Sequence, residues 1–143
     1  MVDLVRRVLH DRFVLPLPPE RAFRLFTADG ERDWVAGWEP RFPAPTADDA
    51  MPGTVFETGS TTIWVVVDAA PPTRIHYARV TPADSAGTVE VRLRPNGDRS
   101  EVTVVYDLTA LSATGDRRLA EFAAGYPRFI ATWRDEILAF LGC

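Results

Sequence analysis

Apolar and polar residues alternate with a period of two from Gly53 onward, for more than fifty residues. This alternation is typical of β-strands that are buried on one face only. The PNGD stretch between two of these segments is a strong signal for a tight turn. We therefore predict consecutive antiparallel strands in one curved sheet that has a dry face and a solvated face. The strand segments are GTVFETG, TTIWVVVDAA, TRIHYARV, GTVEVRLR and EVTVVYDLT.

The residues before this run predict one further strand and two short helices. Alternation over residues 5–15 indicates a strand with Leu9, Phe13 and Leu15 on one face. PLPPERAFRLF has a proline at the first helical position and an acidic residue in the first turn, which favours a short helix. ERDWVAGW predicts a second short helical or irregular segment. The proline-rich residues 43–53 predict a loop, interpreted as a solvated connector in preference to a lid.

The last segment of the chain has the spacing of one long amphipathic helix, with Thr114 as its predicted N-cap. Gly125 and Pro127 lie near its middle. An interior Pro costs about 3 kcal/mol and a Gly about 1 kcal/mol. Burial of the eight large side chains on the apolar stripe contributes about 1.5–3 kcal/mol each, so we expect the helix to survive with a kink. The stripe consists of Leu119, Phe122, Tyr126, Phe129, Ile130, Trp133, Ile137 and Leu141.

This kink leads to a hypothesis about function. A bent helix that lies across the dry face of a curved sheet cannot contact that face evenly along its whole length. We hypothesise that the bend leaves an internal cavity lined by apolar and aromatic side chains. The alternative is a kink that follows the curvature of the sheet over a filled core, since protein interiors are usually close-packed.

Composition narrows the classes of partner and compartment. A length of 143 residues with 46 % hydrophobic residues fits one domain over residues 1–143 with a sizeable core. The net charge of -4 and the absence of a basic run argue against nucleic acid as a partner. The first residues contain no uninterrupted apolar stretch, so they do not read as a signal peptide or a membrane span. We expect a cytoplasmic protein, and a homodimer is left open.

Missing residue types exclude several kinds of chemistry. The chain has no Lys, so a Schiff-base mechanism is excluded. The lone Cys143 is the last residue and is a poor nucleophile for a rigid site. His10 and His76 have no metal-ligand spacing and fall on faces that read as solvated. We therefore predict no metal and no cofactor.

The order of elements resembles the helix-grip superfamily, in particular its START-like and SRPBCC members. The matching pieces are LPPERAFRLFT, DWVAGW, MPGTVFET, YDLTALSATGDRRLAEF and YPRFIATWRDEILAFL. The resemblance covers nearly the whole chain. It implies an α+β fold in which a curved antiparallel sheet of about seven strands wraps around a long C-terminal helix, with two short helices after the first strand.

The resemblance also implies a pocket for a hydrophobic or aromatic small molecule, lipid-like or polyketide-like, between the sheet and the C-terminal helix. One alternative is a cofactor-independent enzyme of the polyketide cyclase/dehydrase or hydrolase kind. A second is a protein-interaction module like the chaperone activators of the same superfamily, which would carry an exposed apolar patch instead of a deep pocket. Whether the protein is an enzyme stays open at this point.

Polar side chains on dry faces are the best pointers to a site, because burial of a polar group is unfavourable without a partner or a ligand. Arg79 alternates with Ile75 and Tyr77, so it should point inward or to the cavity rim, where it would bind a carboxylate or enolate oxygen. A salt bridge to Asp11 or to another carboxylate is the alternative. Asp11 shares the apolar face of its strand and is either a partner of arginine or a proton acceptor.

Arg79, Tyr77 and Asp11 are thus the candidates for catalysis. The tyrosines offer hydroxyl groups and the tryptophans flat surfaces to a planar ligand, although each also fits a plain core position. The face of the strand that carries Trp64 is not assigned, because that strand is apolar on both sides. The candidates for ligand binding are Trp34, Trp38, Tyr77, Arg79, Tyr106, Phe122, Tyr126, Phe129, Ile130 and Trp133.

Overall fold

Six antiparallel strands form one sheet within residues 3–143, the part of the chain that the computed structural model describes. The spatial order is β1-β6-β5-β4-β3-β2, so β1 and β2 are the edges. Short helices follow β1, and two longer helices follow β6. The elements are β1 (Arg6–Leu15), α1 (Pro19–Ala22), 3₁₀ helices at Phe23–Phe26 and Gly30–Asp33, β2 (Val55–Thr58), β3 (Thr62–Ala70), β4 (Arg74–Thr81), β5 (Ser85–Asn96), β6 (Arg99–Ala110), α2 (Ala113–Ala124) and α3 (Tyr126–Leu141).

The number of strands is six, and the prediction of about seven was therefore wrong. That number came from the resemblance, and the segment between the short helices and β2 adds no strand to the six. There, Arg41 makes only a single antiparallel bridge to Glu57. Pro40 and Pro43 flank this bridge, and because proline has no backbone N–H, it does not extend a ladder of hydrogen bonds.

The tight turn predicted at PNGD joins β5 to β6. Asn96 pairs with Arg99, and the two-residue loop between them contains Gly97 with a φ of 64°, a value that glycine adopts without strain. β6 is paired along its length with β5 on one side and with β1 on the other. This arrangement places β6 and its inward-facing side chains under the C-terminal helices.

The helices cover the two halves of the dry face unequally. α3 packs mainly along β1, and α2 contacts β6, β5 and β1. The half of the face formed by β3 and β4 is covered instead by the N-terminal segment of short helices, residues 19–38. The carbonyl of Phe26 in this segment accepts a hydrogen bond from Tyr77, and the ring of Trp38 packs against Trp64. Residues 43–53 form the predicted loop, with residues 43–48 exposed to solvent. The space between the C-terminal helices and the N-terminal segment of residues 19–38 is the candidate site.

The predicted C-terminal helix is long but interrupted at Gly125, where α2 ends and α3 begins. The N–H of Gly125 donates to the carbonyl of Glu121 at 3.1 Å, and the N–H of Phe129 donates to the carbonyl of Gly125 at 2.9 Å. Pro127 therefore lies in the first turn of α3, where its missing N–H is not needed. The expectation of an interior proline that distorts one continuous helix is corrected to a helix end followed by a new start.

The N-cap of α2 also differs from the prediction. Ser112, and not Thr114, accepts a hydrogen bond through its side chain from the N–H of Gly115, at 2.9 Å. Ser112 in turn donates to the carbonyl of Ala83 at 2.6 Å, which ties the start of α2 to the β4–β5 turn. None of the helices described between residues 3 and 143 is long and apolar enough to cross a membrane.

Candidate ligand-binding cavity

A cavity of about 270 Å³ lies between the dry face of the sheet, the N-terminal helical segment and α3. β3 to β6 form its floor, and residues 26–38 and α3 form its walls. Half of the lining residues are aromatic, and the cavity is only partly open to solvent. The aromatic residues that line it are Phe26, Trp38, Trp64, Tyr77, Tyr106, Phe129 and Trp133.

A second cavity of about 270 Å³ lies next to the first, toward the junction of α2 and α3. Arg79, Tyr106 and Phe129 line both cavities, so these three side chains stand at their boundary. Phe122 and Arg118 from α2 line only the second cavity. Phe122 and Phe129, on either side of the break between the two helices, both line this second space.

The wall formed by the N-terminal segment is held in place by hydrogen bonds to its backbone. Within residues 25–28, three carbonyl groups accept bonds from the side chains of Trp34, Tyr77 and Trp38, at 2.7, 2.6 and 2.8 Å. Each of these donors is an aromatic residue with a polar tip, the kind of side chain that satisfies a buried carbonyl without an added charge. The segment is thereby fixed against the sheet.

Trp64 faces the cavity, which resolves the strand side that alternation left unassigned. Its ring stacks on Phe56 with centroids 5.8 Å apart and planes 3° from parallel. Its indole N–H donates to the side-chain oxygen of Thr58 at 2.9 Å. The ring of Tyr77 lies nearly perpendicular to it, with centroids 5.7 Å apart, so Trp64 is held on several sides.

Arg79 carries a positive charge at the boundary of the two cavities. The central guanidinium carbon lies 5.5 Å from the centroid of the Trp64 ring, a cation–π distance. One guanidinium nitrogen lies 3.5 Å from the hydroxyl of Ser85. None of the ion pairs among residues 3–143 involves Arg79, so the salt bridge to Asp11 considered above is not formed.

Glu31 is a polar residue of the cavity that sequence reasoning missed. It lies in the 3₁₀ helix Gly30–Asp33, lines the first cavity and is 9 % exposed. Burial raises the pKa of its carboxyl well above the ordinary value of 4.5. None of the side-chain hydrogen bonds or ion pairs in the described part of the chain involves this carboxyl. It is therefore a buried acid without a protein partner.

The three tyrosines differ in what their hydroxyl groups do. Tyr77 donates to the carbonyl of Phe26, and Tyr126 donates to the carbonyl of Val104 at 2.7 Å. The hydroxyl of Tyr106 takes part in none of the hydrogen bonds found within residues 3–143. Burial raises the pKa of all three hydroxyl groups, so each stays protonated. Tyr106 is accordingly the tyrosine available to a molecule in the cavity.

The structure brings together most, but not all, of the predicted site residues. Trp34, Tyr126 and Ile130 are buried and line neither of the two cavities. Asp11 also lies outside both, and its carboxylate accepts a hydrogen bond from the N–H of Arg12. The predicted residues that do line a cavity are Trp38, Tyr77, Arg79, Tyr106, Phe129 and Trp133 in the first, and Phe122 in the second.

Several residues of the lining carried no usable signal in the sequence. Glu31 stands in a polar stretch without periodicity, and Thr58 and Thr62 read as ordinary residues of a strand end. In the described residues, no three His, Cys, Asp or Glu side chains come together as a metal site would require. The two histidines lie elsewhere, with His10 exposed and His76 beside Glu90 on the outer face.

No protein-family model matches the sequence, and a comparison with curated proteins finds no match. Solved structures do match. CalU16 from Micromonospora echinospora is 19 % identical, with a TM-score of 0.68 over 94 % of this chain and 83 % of that chain. Norcoclaurine synthase from Thalictrum flavum, in complex with dopamine and hydroxybenzaldehyde, is 11 % identical, with a TM-score of 0.68 over 97 % and 88 %. An HSP90 activator from Plasmodium falciparum is 15 % identical, with a TM-score of 0.65 over 94 % and 96 %.

The chain has the helix-grip fold. The resemblance to START-like and SRPBCC proteins that its sequence suggested is confirmed at the level of the fold. In this helix-grip chain, the sheet and α3 enclose the first cavity together with the N-terminal segment. Phe122 of α2 and Phe129 of α3, on either side of the junction, line the second cavity.

Proposed function

We propose that the protein binds an aromatic or otherwise apolar small molecule in the first cavity. The observation that carries this proposal is a space of about 270 Å³, walled by aromatic rings, in an interior that would otherwise be close-packed. An empty apolar cavity is unfavourable because its lining loses dispersion contacts, and a ligand restores them.

The size of the cavity favours a compact ligand. Pockets for drug-sized molecules measure about 300–1,000 Å³, and this cavity lies just below that range. It has room for one ring or two fused rings. Within the lipid-like or polyketide-like class suggested by the resemblance, the volume supports a small aromatic compound in preference to a long acyl chain.

Arg79 supplies the polar contact that orients such a molecule. Its guanidinium forms no ion pair with a carboxylate in residues 3–143 and lies beside Trp64, so an aromatic ring that stacks in the cavity would bring an attached anionic oxygen within reach. Guanidinium groups bind carboxylates through two parallel N–H···O bonds. We therefore expect a ligand with a carboxylate or enolate oxygen at one end. The likeness to norcoclaurine synthase, whose complex holds dopamine and hydroxybenzaldehyde, supports a small aromatic ligand.

The experiment compares 2-naphthoate with 2-ethylnaphthalene, which has the same ring system and no charge. Binding is followed through quenching of tryptophan fluorescence, since Trp38, Trp64 and Trp133 line the cavity. We expect both probes to bind and 2-naphthoate to bind about tenfold or more tightly, because a hydrogen bond to a charged group contributes about 1.5–3 kcal/mol. Absence of binding for both probes would contradict the proposal.

Two variants locate the interaction. Arg79→Met should remove the preference for 2-naphthoate and keep the binding of 2-ethylnaphthalene. Arg118→Met is the matched control, because Arg118 lies in the second cavity and is already paired with Asp84 at 3.3 Å. Val91→Phe enlarges a side chain that lines the cavity, so it should weaken the binding of both probes.

An enzyme of the cyclase, dehydrase or hydrolase kind is a second candidate, and one observation favours it. Glu31, a buried acid, and Arg79, a cation that forms no ion pair in the described part of the chain, line the same cavity. An acid that donates a proton beside a cation that stabilises an oxyanion is the pair that cofactor-independent carbonyl chemistry needs. The test is the cyclisation of a small aryl diketone, followed by absorbance. Equal rates with and without the protein would leave binding as the function.

A further inference from the structure

Glu31 belongs to the cavity for reasons of backbone geometry. Its N–H donates to the carbonyl of Thr27 at 3.0 Å, and its own carbonyl accepts from the N–H of Val35 at 2.9 Å. The neighbouring Gly30 packs directly against the backbone of Arg24. A Cβ at position 30 would lie 1.5 Å from the carbonyl oxygen of Arg24. The segment is thus built tightly around this position, and the carboxyl of Glu31 is carried into the cavity lining.

The groups that face Glu31 do not neutralise it. From β4 come Tyr77, whose hydroxyl is already bonded to a backbone carbonyl, and Arg79, which forms no ion pair with Glu31. From β6 comes Tyr106, whose pKa is raised chiefly by burial, with the charge of Arg79 lowering it and the nearby Glu31 raising it by a smaller amount. Asp49, in the loop of residues 43–53, lies outside the lining of this cavity and accepts a hydrogen bond from the N–H of Asp29 at 2.8 Å. An ionised Glu31 would have no partner among these groups.

A buried carboxyl in this position is most stable as the neutral acid, because burial of an unpaired charge is far more costly than burial of a neutral polar group. The neutral acid has one O–H to donate. We propose that Glu31 acts as a neutral carboxylic acid that donates a hydrogen bond to a carbonyl oxygen of the bound molecule. The inference rests on the proposed function and extends it: the ligand is an aromatic ketone, aldehyde or acid, with Arg79 available to a second, anionic oxygen.

The charge in the cavity distinguishes this role from recognition of an amine. Arg79 lines the same space and repels a cationic ligand, and among the described residues Glu31 is the one acid in the lining of the first cavity. A neutral Glu31 beside a positive Arg79 leaves the cavity positive overall. Oxygen acceptors fit that environment better than ammonium groups do.

The test compares 2-acetylnaphthalene, which has one carbonyl oxygen, with 2-ethylnaphthalene, by fluorescence quenching with the full chain. At about pH 5 we expect the ketone to bind about three- to tenfold more tightly, the effect of one neutral hydrogen bond. The preference should decline as the pH rises through the pKa of Glu31, since the ionised form cannot donate. Asp49→Asn should leave this pH profile unchanged.

Two variants of Glu31 separate the effect of its hydrogen-bond donor from the effect of its side-chain size. Glu31→Gln keeps an N–H donor at every pH, so its preference for the ketone should persist and become independent of pH. Glu31→Met has a similar length and no donor, so it should bind both naphthalenes equally. A preference for the ketone in Glu31→Met equal to that of the wild type would overturn the inference.

The remaining outcomes are distinguishable. Binding of 2-ethylnaphthalene with no preference for the ketone would overturn this inference and leave the proposed function in place, whereas failure of every naphthalene to bind would overturn both. Binding of 2-naphthylmethylamine that strengthens with pH and is lost in Glu31→Gln would show Glu31 acting as an anion, contrary to the inference. A ligand-free measurement is NMR titration of the Glu31 carboxyl, where ionisation at or below about pH 4.5 would also overturn it.

Discussion

The hydroxyl of Tyr77 donates a 2.6 Å hydrogen bond to the backbone carbonyl of Phe26, a residue 51 positions earlier in the chain. This bond joins β4, at the centre of the dry face, to the segment that carries Glu31 and Trp38. Both partners are buried, with Tyr77 3 % and Phe26 1 % exposed, so neither has water as an alternative partner. This hydrogen bond fixes the N-terminal segment, which forms a wall of the cavity, to β4 in its floor.

Tyr77→Phe should therefore destabilise the protein. The change removes the donor and leaves a buried carbonyl unpaired, which costs about 1–3 kcal/mol. The free energy of unfolding, measured with urea, checks this value. Tyr106→Phe is the control, since the hydroxyl of Tyr106 takes part in no hydrogen bond within residues 3–143, and its effect should be clearly smaller. Equal effects of the two changes would contradict the role assigned to the bond.

Two glycines of the helical segments should respond to alanine by very different amounts. A Cβ at Gly30 would lie 1.5 Å from the carbonyl oxygen of Arg24, so the backbone has to move, and we expect Gly30→Ala to cost about 2 kcal/mol or more. At Gly125 the nearest atom is the carbonyl oxygen of Glu121 at 3.7 Å, and the φ of -97° suits any residue. Gly125→Ala should change stability by less than about 1 kcal/mol. Thermal and urea unfolding of both variants measure the difference.

The strands were predictable and the wall of the cavity was not, for reasons visible in single residues. In β5 and β6 the alternation follows burial, because each strand has one face in water. In β3 the apolar residues Ile63 and Val67 lie on the outer face, 37 % and 46 % exposed, so the pattern is apolar on both sides and does not assign Trp64. Glu31 lines one cavity together with residues of β4 and β6, an arrangement that local sequence does not record.

The C-terminal helix illustrates a different kind of error. Its apolar stripe was predictable because Tyr126, Ile130, Trp133 and Ile137 are all buried at helical spacing. The stripe continues across the break at Gly125, so periodicity alone does not distinguish one kinked helix from two helices in sequence. The presence of two helices instead of one depends on the backbone conformation at Gly125, which the spacing of apolar residues does not report.

Pro127 provides a test of this corrected interpretation. In the first turn of α3 the proline loses no hydrogen bond, so Pro127→Ala should not stabilise the protein and should destabilise it by up to about 1 kcal/mol, through greater freedom of the unfolded chain. If Pro127 lay in the interior of one continuous helix, Pro127→Ala would instead stabilise the protein by about 3 kcal/mol. Ala131→Pro is the matched control, because Ala131 is exposed in the interior of α3 and the change should cost about 3 kcal/mol or more.

The raised pKa of Glu31 makes a prediction about stability that is independent of any ligand. Burial raises the pKa of this carboxyl above its value in the unfolded chain, so the folded state binds the proton more tightly. The stabilisation that follows is complete below the unfolded pKa and is lost as the pH rises through the folded pKa. Glu31→Gln cannot ionise, so its stability relative to wild type should increase over that interval and then level off. Urea unfolding of both proteins at a series of pH values measures the difference. A difference that stays constant with pH would mean that the carboxyl ionises in the folded protein as it does in the unfolded chain, and that Glu31 is not held as a neutral acid.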